Sequence, residues 1–269
     1  VSFDIFRNYL NPLTWAEYFS GTGPATSMGG VEGLAFLPTD PTNETLRNWP
    51  DLELLLNGGT SASDQGVAMR FVHGVSQRLW SFFQPLIGRE SFGLYSLILR
   101  PKSRGQVRLA SSDPLAAPIV DTGHYSHPDD MKIVLKGIRI IEKLVDTPAM
   151  RELGVEMYKD KLLPGCEHHE AFSDEYWSCY SRAFTQSIWH YSGTTKMGPV
   201  DDPTSVVDHE LKVHGIKGLR VVDCGIIPTI TSGHLNAVAY MIAEKASDMI
   251  KKDWVGLRTP KSSKSKLKE

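Results

Sequence analysis

Apolar positions change their period several times along the chain. From Phe92 they alternate, with Leu94, Ser96, Ile98 and Arg100 interleaved with Tyr95, Leu97 and Leu99, which predicts a strand over 94–100 buried on at least one face. Pro101-Lys102-Ser103-Arg104-Gly105 reads as a turn. Gln106-Val107-Arg108-Leu109 alternates again, so 106–110 is expected as the returning strand of a hairpin. After Pro128 the period lengthens: Met131, Val134, Leu135, Ile138, Ile141 and Val145 recur at three- and four-residue steps. They predict a helix over 129–145, with Asp129 and Asp130 at its positive end. Residues 174–189 read as a second helix carrying Tyr176, Trp177, Tyr180, Ala183 and Phe184 on one side. Leu219-Arg220-Val221-Val222 is expected as a short buried strand, followed by a turn from Asp223 to Ser232. A last helix then has Leu235, Val238, Ala239, Ile242, Ala246, Met249 and Ile250 on one face. Residues 1–60, punctuated by Gly21, Gly23, Pro24, Gly29, Gly30, Gly33, Pro38, Pro41 and Pro50, read as loops with short strands. These segments predict an α+β fold, a mixed or antiparallel sheet with helices on one face.

Size and charge narrow the class. A chain of 269 residues with 41% hydrophobic content buries a real core, and a net charge of -2 gives no bulk attraction to nucleic acid or an anionic membrane. The charge is uneven: Lys251 to Glu269 holds seven Lys or Arg against two acids, and residues 253–269 are expected as a basic, disordered tail. No apolar run reaches the roughly 18 residues of a membrane span, and no basic-then-apolar leader opens the chain at Val1. Of three cysteines, Cys166 and Cys179 lie 13 apart in a polar, loop-like stretch and are expected to form a disulfide. Without a CxxC pair, structural zinc is not expected. Asn43-Glu44-Thr45 is a glycosylation sequon. Disulfide and sequon both lean toward an extracellular, secreted protein.

Two histidines stand in settings suited to chemistry. His190 lies in Trp189-His190-Tyr191-Ser192-Gly193-Thr194-Thr195-Lys196-Met197-Gly198, where a helix is expected to end in a glycine-rich turn. His234 lies in Ser232-Gly233-His234-Leu235-Asn236-Ala237, expected in the first turn of the last helix, where unpaired N–H groups and a positive dipole gather.

With these residues in order, the sequence resembles the glucose–methanol–choline (GMC) oxidoreductases. The resemblance rests on His190-x-x-Gly193-Thr194-x-x-Met197-Gly198, on Val207 with the polar Asp208, and on Val213-x-Gly215-Ile216-x-Gly218-Leu219-Arg220-Val221-Val222-Asp223. Pro228 and Ser232-Gly233-His234-x-Asn236-Ala237 close this signature, and Pro101-x-Ser103-Arg104-Gly105-x-Val107-x-Leu109-x-Ser111-x-Asp113-Pro114 with Pro118 precedes it. Gly23-Pro24 through Gly33 and Trp49-Pro50-Asp51 resemble the animal, glucose-dehydrogenase-like branch.

The resemblance implies FAD as cofactor and oxidation of an alcohol or sugar CH–OH group by hydride transfer to flavin N5. His190 matches the residue that takes the hydroxyl proton, and His234 the second catalytic position. Asp223, Cys224, Asn236 and Ala237 match positions that contact FAD, largely through backbone. Oxygen or a quinone-like molecule is the implied electron acceptor. The resemblance also implies a division into a substrate-binding region, 1–205, and a segment, 206–252, whose strand and helix complete an FAD-binding domain. The GxGxxG turn of such a domain is missing, because Gly21-Thr22-Gly23-Pro24 has only two of its glycines, no strand before it, and Pro24 where a helix would start. The chain is therefore expected to be a fragment of a protein roughly twice as long.

Other chemistries fit less well. No window makes the GxSxG elbow of a serine hydrolase, and no HExxH occurs. The non-catalytic alternatives are a secreted binding or structural protein and an inactive product lacking its cofactor half.

Overall fold

The computed structural model describes residues 4–26, 30–67 and 69–258. The chain divides into two compact units, Val1–Gln186 and Ser187–Glu269.

The first unit is built on a three-stranded antiparallel sheet. Strand β1 (Val31–Leu37) pairs with β2 (Leu52–Asn57) in the register Leu37↔Leu52, with an irregularity between Val31 and Gly33. Strand β2 pairs in turn with β3 (Gly93–Ile98), Leu52 opposite Ile98. The middle strand is Leu-Glu-Leu-Leu-Leu-Asn, and its first four residues are buried, as a strand covered on both faces requires.

Four short helices, α1 (Ile5–Tyr9), α2 (Pro12–Phe19), α3 (Glu44–Asn48) and α4 (Met69–Val72), lie before or between the strands. After α5 (Gln77–Trp80) and β3, the long helix α6 (Pro128–Val145) packs against β2 and β3. Its start follows capping chemistry: His127 Nδ1 accepts the Asp129 N–H, Pro128 takes the first position, and Asp129 and Asp130 occupy the first turn. Its buried stripe of Met131, Val134, Gly137, Ile141 and Val145 matches the expected period. Gly137 faces the sheet, where a Cβ would stand 2.1 Å from Ser96 Oγ and 2.9 Å from Leu52 Cδ1. Leu52, Leu54, Ile141 and Val145 form the core between helix and sheet.

A second core gathers Phe82, Phe83, Leu86, Leu163, Cys166, Tyr176 and Trp177 beneath α8 (Asp174–Phe184), which follows the short α7 (Pro148–Glu152). Cys166 and Cys179 are joined in a disulfide with Cα atoms 5.8 Å apart, although Cys179 sits in α8 rather than in a loop.

Several local expectations are corrected. Strand β4 (Gln106–Arg108) does not return on β3; it pairs with β5 (Ile119–Asp121) in a separate two-stranded sheet. The intervening turn is tied elsewhere, since the two carboxylate oxygens of Asp130 accept the Lys102 and Ser103 N–H groups at 2.9 and 2.8 Å. That fastens the turn to the start of α6 and leads the chain away from the first sheet. Helix α8 stops at Phe184, five residues short of the expected end. Among the described residues, the opening 60 hold three α-helices, α1, α2 and α3, where loops with short strands were expected. Asn11 caps α2 by accepting the Leu13 N–H, and Pro12 opens it.

The second unit has little regular structure before α9 (Asn236–Arg258). The expected strand at 219–222 reduces to one bridge, Arg220 to Lys212, because left-handed Gly215 and Gly218 turn the chain tightly between them. Val207, Leu211, Ile226, Ile227, Leu235, Ile242 and Ala246 form its core. Helix α9 continues through 253–258, and the remainder of the expected tail, 259–269, lies outside the described residues. Among the described residues, no helix is long and apolar enough to cross a membrane.

Candidate active site

The two expected histidines meet. His190 Nε2 lies 2.9 Å from His234 Nδ1, and the rings stand edge to face with centroids 4.9 Å apart. Both belong to the second unit and both are half-buried.

The segment before His190 is unusual. Ile188 and Trp189 both adopt left-handed backbone, at φ 44° and 60°, and the His190 N–H closes a turn onto the Ser187 carbonyl at 3.0 Å. Consecutive left-handed residues that are neither Gly nor Asn cost of order 1–3 kcal/mol each, and a β-branched residue is the least tolerant. This turn brings the Ile188 carbonyl oxygen to 2.6 Å from His190 Nδ1. A carbonyl oxygen only accepts, so Nδ1 carries the hydrogen. In the neutral ring, Nε2 is then the bare nitrogen, and it accepts from His234 Nδ1–H.

The two histidine segments are held by backbone pairing. Gly193 N–H donates to the Cys224 carbonyl, Thr195 N–H to Gly225, and Met197 N–H to Ile226, at 3.2, 2.9 and 2.8 Å. Gly193 is left-handed at φ 82°, and a Cβ there would press on the Ile227 carbonyl oxygen at 3.2 Å.

His234 departs from its expected place. It does not sit in the first turn of the last helix but two residues ahead of Asn236, in the bend 232–235. Buried Leu235 separates it from the helix and fixes the bend to the core.

The residues matched to cofactor contacts lie nearby in the chain. Asp223 Oδ1 accepts the Gly225 N–H at 2.6 Å and caps a short 3-10 turn, Cys224–Ile226. Cys224 is a free, half-buried thiol whose carbonyl serves the pairing just described. Asn236 and Ala237 are exposed at the start of α9, the end of a helix where N–H groups lack intrahelical partners. The residues fit the implied flavin cofactor on one structural ground. Thr195 Oγ1 is buried without a hydrogen-bond partner, and Gly225 is cradled so that a Cβ would lie 2.5 Å from that oxygen and 2.7 Å from Asp223 Oδ1. An orphaned hydroxyl beside a bare glycine backbone provides a donor and close approach for a polar planar group. Among the described residues, no group of three or more His, Cys, Asp or Glu is arranged to hold a metal ion.

Sequence reasoning did not find the Ile188 carbonyl or Thr195 Oγ1. Left-handed Ile and Trp carry no composition signal, and the burial of one threonine among several is set by pairing of distant segments.

Comparison with known proteins identifies the family. The family described as GMC oxidoreductase matches residues 101–243, more than half of the chain. The chain is 41% identical to the glucose dehydrogenase [FAD, quinone] of Drosophila melanogaster over 164 residues, 61% of this chain and 26% of that protein. It is 34% identical to a dehydrogenase of Emericella nidulans over 250 residues, 88% of this chain and 37% of that one. Its fold is similar to a fungal aryl-alcohol oxidase, with a TM-score of 0.54 at 34% identity over 77% of this chain and 28% of that one. Formate oxidase shares the fold at 22% identity, with a TM-score of 0.68 over 94% of this chain and 44% of that one. The chain thus spans well under half the length of these relatives.

Proposed function

The chain belongs to the GMC oxidoreductase family, and on that premise we propose that it forms the substrate-facing and catalytic portion of an FAD-dependent enzyme that oxidises the CH–OH group of an alcohol or sugar. The observation that carries this reading is the 2.9 Å contact between His190 and His234, made across 44 residues of sequence. Within it, residues 1–205 serve the substrate and 206–252 complete the flavin-binding domain, with Asp223, Cys224, Asn236 and Ala237 toward the cofactor. When bound, FAD supplies the hydride acceptor.

The chain's own part is proton handling. The hydroxyl oxygen of a carbinol enters between the two rings, so the nitrogens separate from 2.9 Å to about 4.5 Å to admit two ordinary hydrogen bonds. His190 Nε2, bare because Nδ1 is committed to Ile188, takes the hydroxyl proton. An imidazole suits that task near neutral pH. The imidazolium keeps its Nδ1–H on the Ile188 carbonyl. His234 Nδ1–H, released from His190, donates to the same oxygen and stabilises the charge that develops on it. The electron acceptor is oxygen or a quinone-like molecule, and the protein is secreted, a reading supported by the disulfide.

The test uses the complete protein loaded with FAD. His190→Ala lowers turnover about 10²–10⁴-fold, the usual worth of a general base, while His234→Asn, which keeps a donor, lowers it less. Turnover within a factor of a few of the parent in His190→Ala would refute the assignment.

A further inference from the structure

The sequon singled out in the sequence plays no part in the chemistry above. Asn43 is the sole asparagine of the chain followed at the second place by Ser or Thr, and the residue between is not proline. Asn43, Glu44 and Thr45 are all exposed, in the connection from β1 to β2. Asn43 is extended at φ -81° and ψ 112°, and its Oδ1 accepts the Leu46 N–H at 3.2 Å. Among the described residues its Nδ2 makes no hydrogen bond. The amide is thus divided: the oxygen is committed to the protein and the nitrogen is left to solvent. A separate observation points to the compartment. The Cys166–Cys179 disulfide forms and persists in oxidising surroundings, the secretory pathway and beyond, where asparagine glycosylation also takes place.

We propose that Asn43 carries an N-linked glycan. In the step, Nδ2 forms a bond to the anomeric carbon of a sugar and gives up one proton. The bond from that carbon to the pyrophosphate of a lipid-linked oligosaccharide breaks, and the lipid pyrophosphate departs with the electron pair. Nothing is oxidised or reduced. The product keeps Oδ1, so the hydrogen bond from Leu46 and the short helix α3 survive the modification. This inference stands apart from the oxidoreductase reading, since it needs secretion but no flavin and no histidine.

The natural protein containing this chain, secreted by insect cells from its complete coding sequence, is treated with a peptide N-glycosidase in heavy-oxygen water and mapped by mass spectrometry. Asn43 is expected as heavy-oxygen-labelled Asp after treatment, with one glycan's mass lost from the intact protein. Asn43→Gln and Thr45→Ala abolish the label at this site, whereas Thr45→Ser retains it. Asn43→Asp removes the glycan and keeps the acceptor for Leu46, so it is secreted as a folded protein and controls for any folding defect in Asn43→Gln. Recovery of the unmodified Asn43 peptide from secreted protein whose Cys166–Cys179 bond is intact overturns the proposal, as does a label at Asn43 that persists in Thr45→Ala.

Discussion

The tautomer of His190 is the most exposed consequence of the site. Two hydrogen bonds select it: Nδ1–H donating to the Ile188 carbonyl at 2.6 Å, and Nε2 accepting from His234 at 2.9 Å. With the His234 hydrogen kept on Nδ1, moving the His190 hydrogen from Nδ1 to Nε2 breaks both, leaving a lone pair against a carbonyl oxygen and two N–H groups facing each other. At about 1 kcal/mol net for each bond, the observed form is favoured by about 2 kcal/mol, roughly 30-fold. Long-range proton–nitrogen NMR of protein with ring-labelled histidine should therefore show the neutral His190 ring in one form, with Nδ1 protonated. His190→Asn assigns the signal by removing it. The perch is then disturbed through the backbone. Trp189→Gly keeps the left-handed region accessible and should leave the tautomer intact. Trp189→Val disfavours that region, withdraws the Ile188 carbonyl and should shift the population toward Nε2–H. A dominant Nε2–H form in the parent protein, or the same spectrum in both Trp189 variants, refutes the argument that the carbonyl holds this proton.

Three further outcomes follow from packing and charge. Asp130→Ala strips two backbone N–H groups of their acceptor and should lower stability by about 2–4 kcal/mol in urea titrations, with faster exchange of the Lys102 and Ser103 amides; unchanged exchange would separate this carboxylate from the turn. Burial raises the Asp130 pKa, but hydrogen bonds from the Ser103 side chain and the Lys102 and Ser103 backbone outweigh it and leave the value below the usual carboxylate range. Its stabilisation is therefore full above the unfolded pKa near 4 and disappears as pH falls through the lower folded value, a slope that Asp130→Ala should flatten. Gly137→Ala, normally helpful in a helix by about 1 kcal/mol, should instead lower the melting temperature, because the new Cβ overlaps Ser96 and Leu52; a higher melting temperature would contradict the close approach. Replacing Cys166 and Cys179 by Ala removes a cross-link over 13 residues and should cost about 3 kcal/mol, read as an earlier urea midpoint that reductant no longer alters.

The sequence made the long local units legible. Helix α6 has an apolar stripe of full length and a proline and two acids at its start, so its bounds were readable to one residue. Helix α2 carried the same kind of signal in Asn11-Pro12 and could have been read there, but the glycines beyond it dominated the reading of the first 60 residues. What failed was pairing. Strand β4 follows β3 after a turn with every mark of a hairpin, yet Asp130, 25 residues beyond that turn, claims its N–H groups. The strand at 219–222 failed for a related reason, since a single bridge closing a short turn that carries two left-handed glycines builds no ladder. For the site, the residues were legible and their support was not. His190 and His234 could be picked from ordered motifs, whereas the Ile188 perch depends on two left-handed residues that no propensity favours.

The three backbone bonds from Gly193, Thr195 and Met197 to residues 224–226 have a consequence for how this protein tolerates change of length. They staple the two stretches of chain that lead to the histidines, and the segment between Gly198 and Asp223 leaves and returns at the staple, anchored in the core by Val207 and Leu211. Adding or deleting residues in the exposed turns of that segment, around Asp201 or Lys217, leaves the spacing of the imidazoles untouched, and closure entropy grows only slowly with length. One residue added between His190 and Gly193, or between Ile226 and His234, shifts the alignment and parts the rings. Insertions of variable size are therefore accommodated on one side of the staple, and the distances on the other side are inherited as a fixed count.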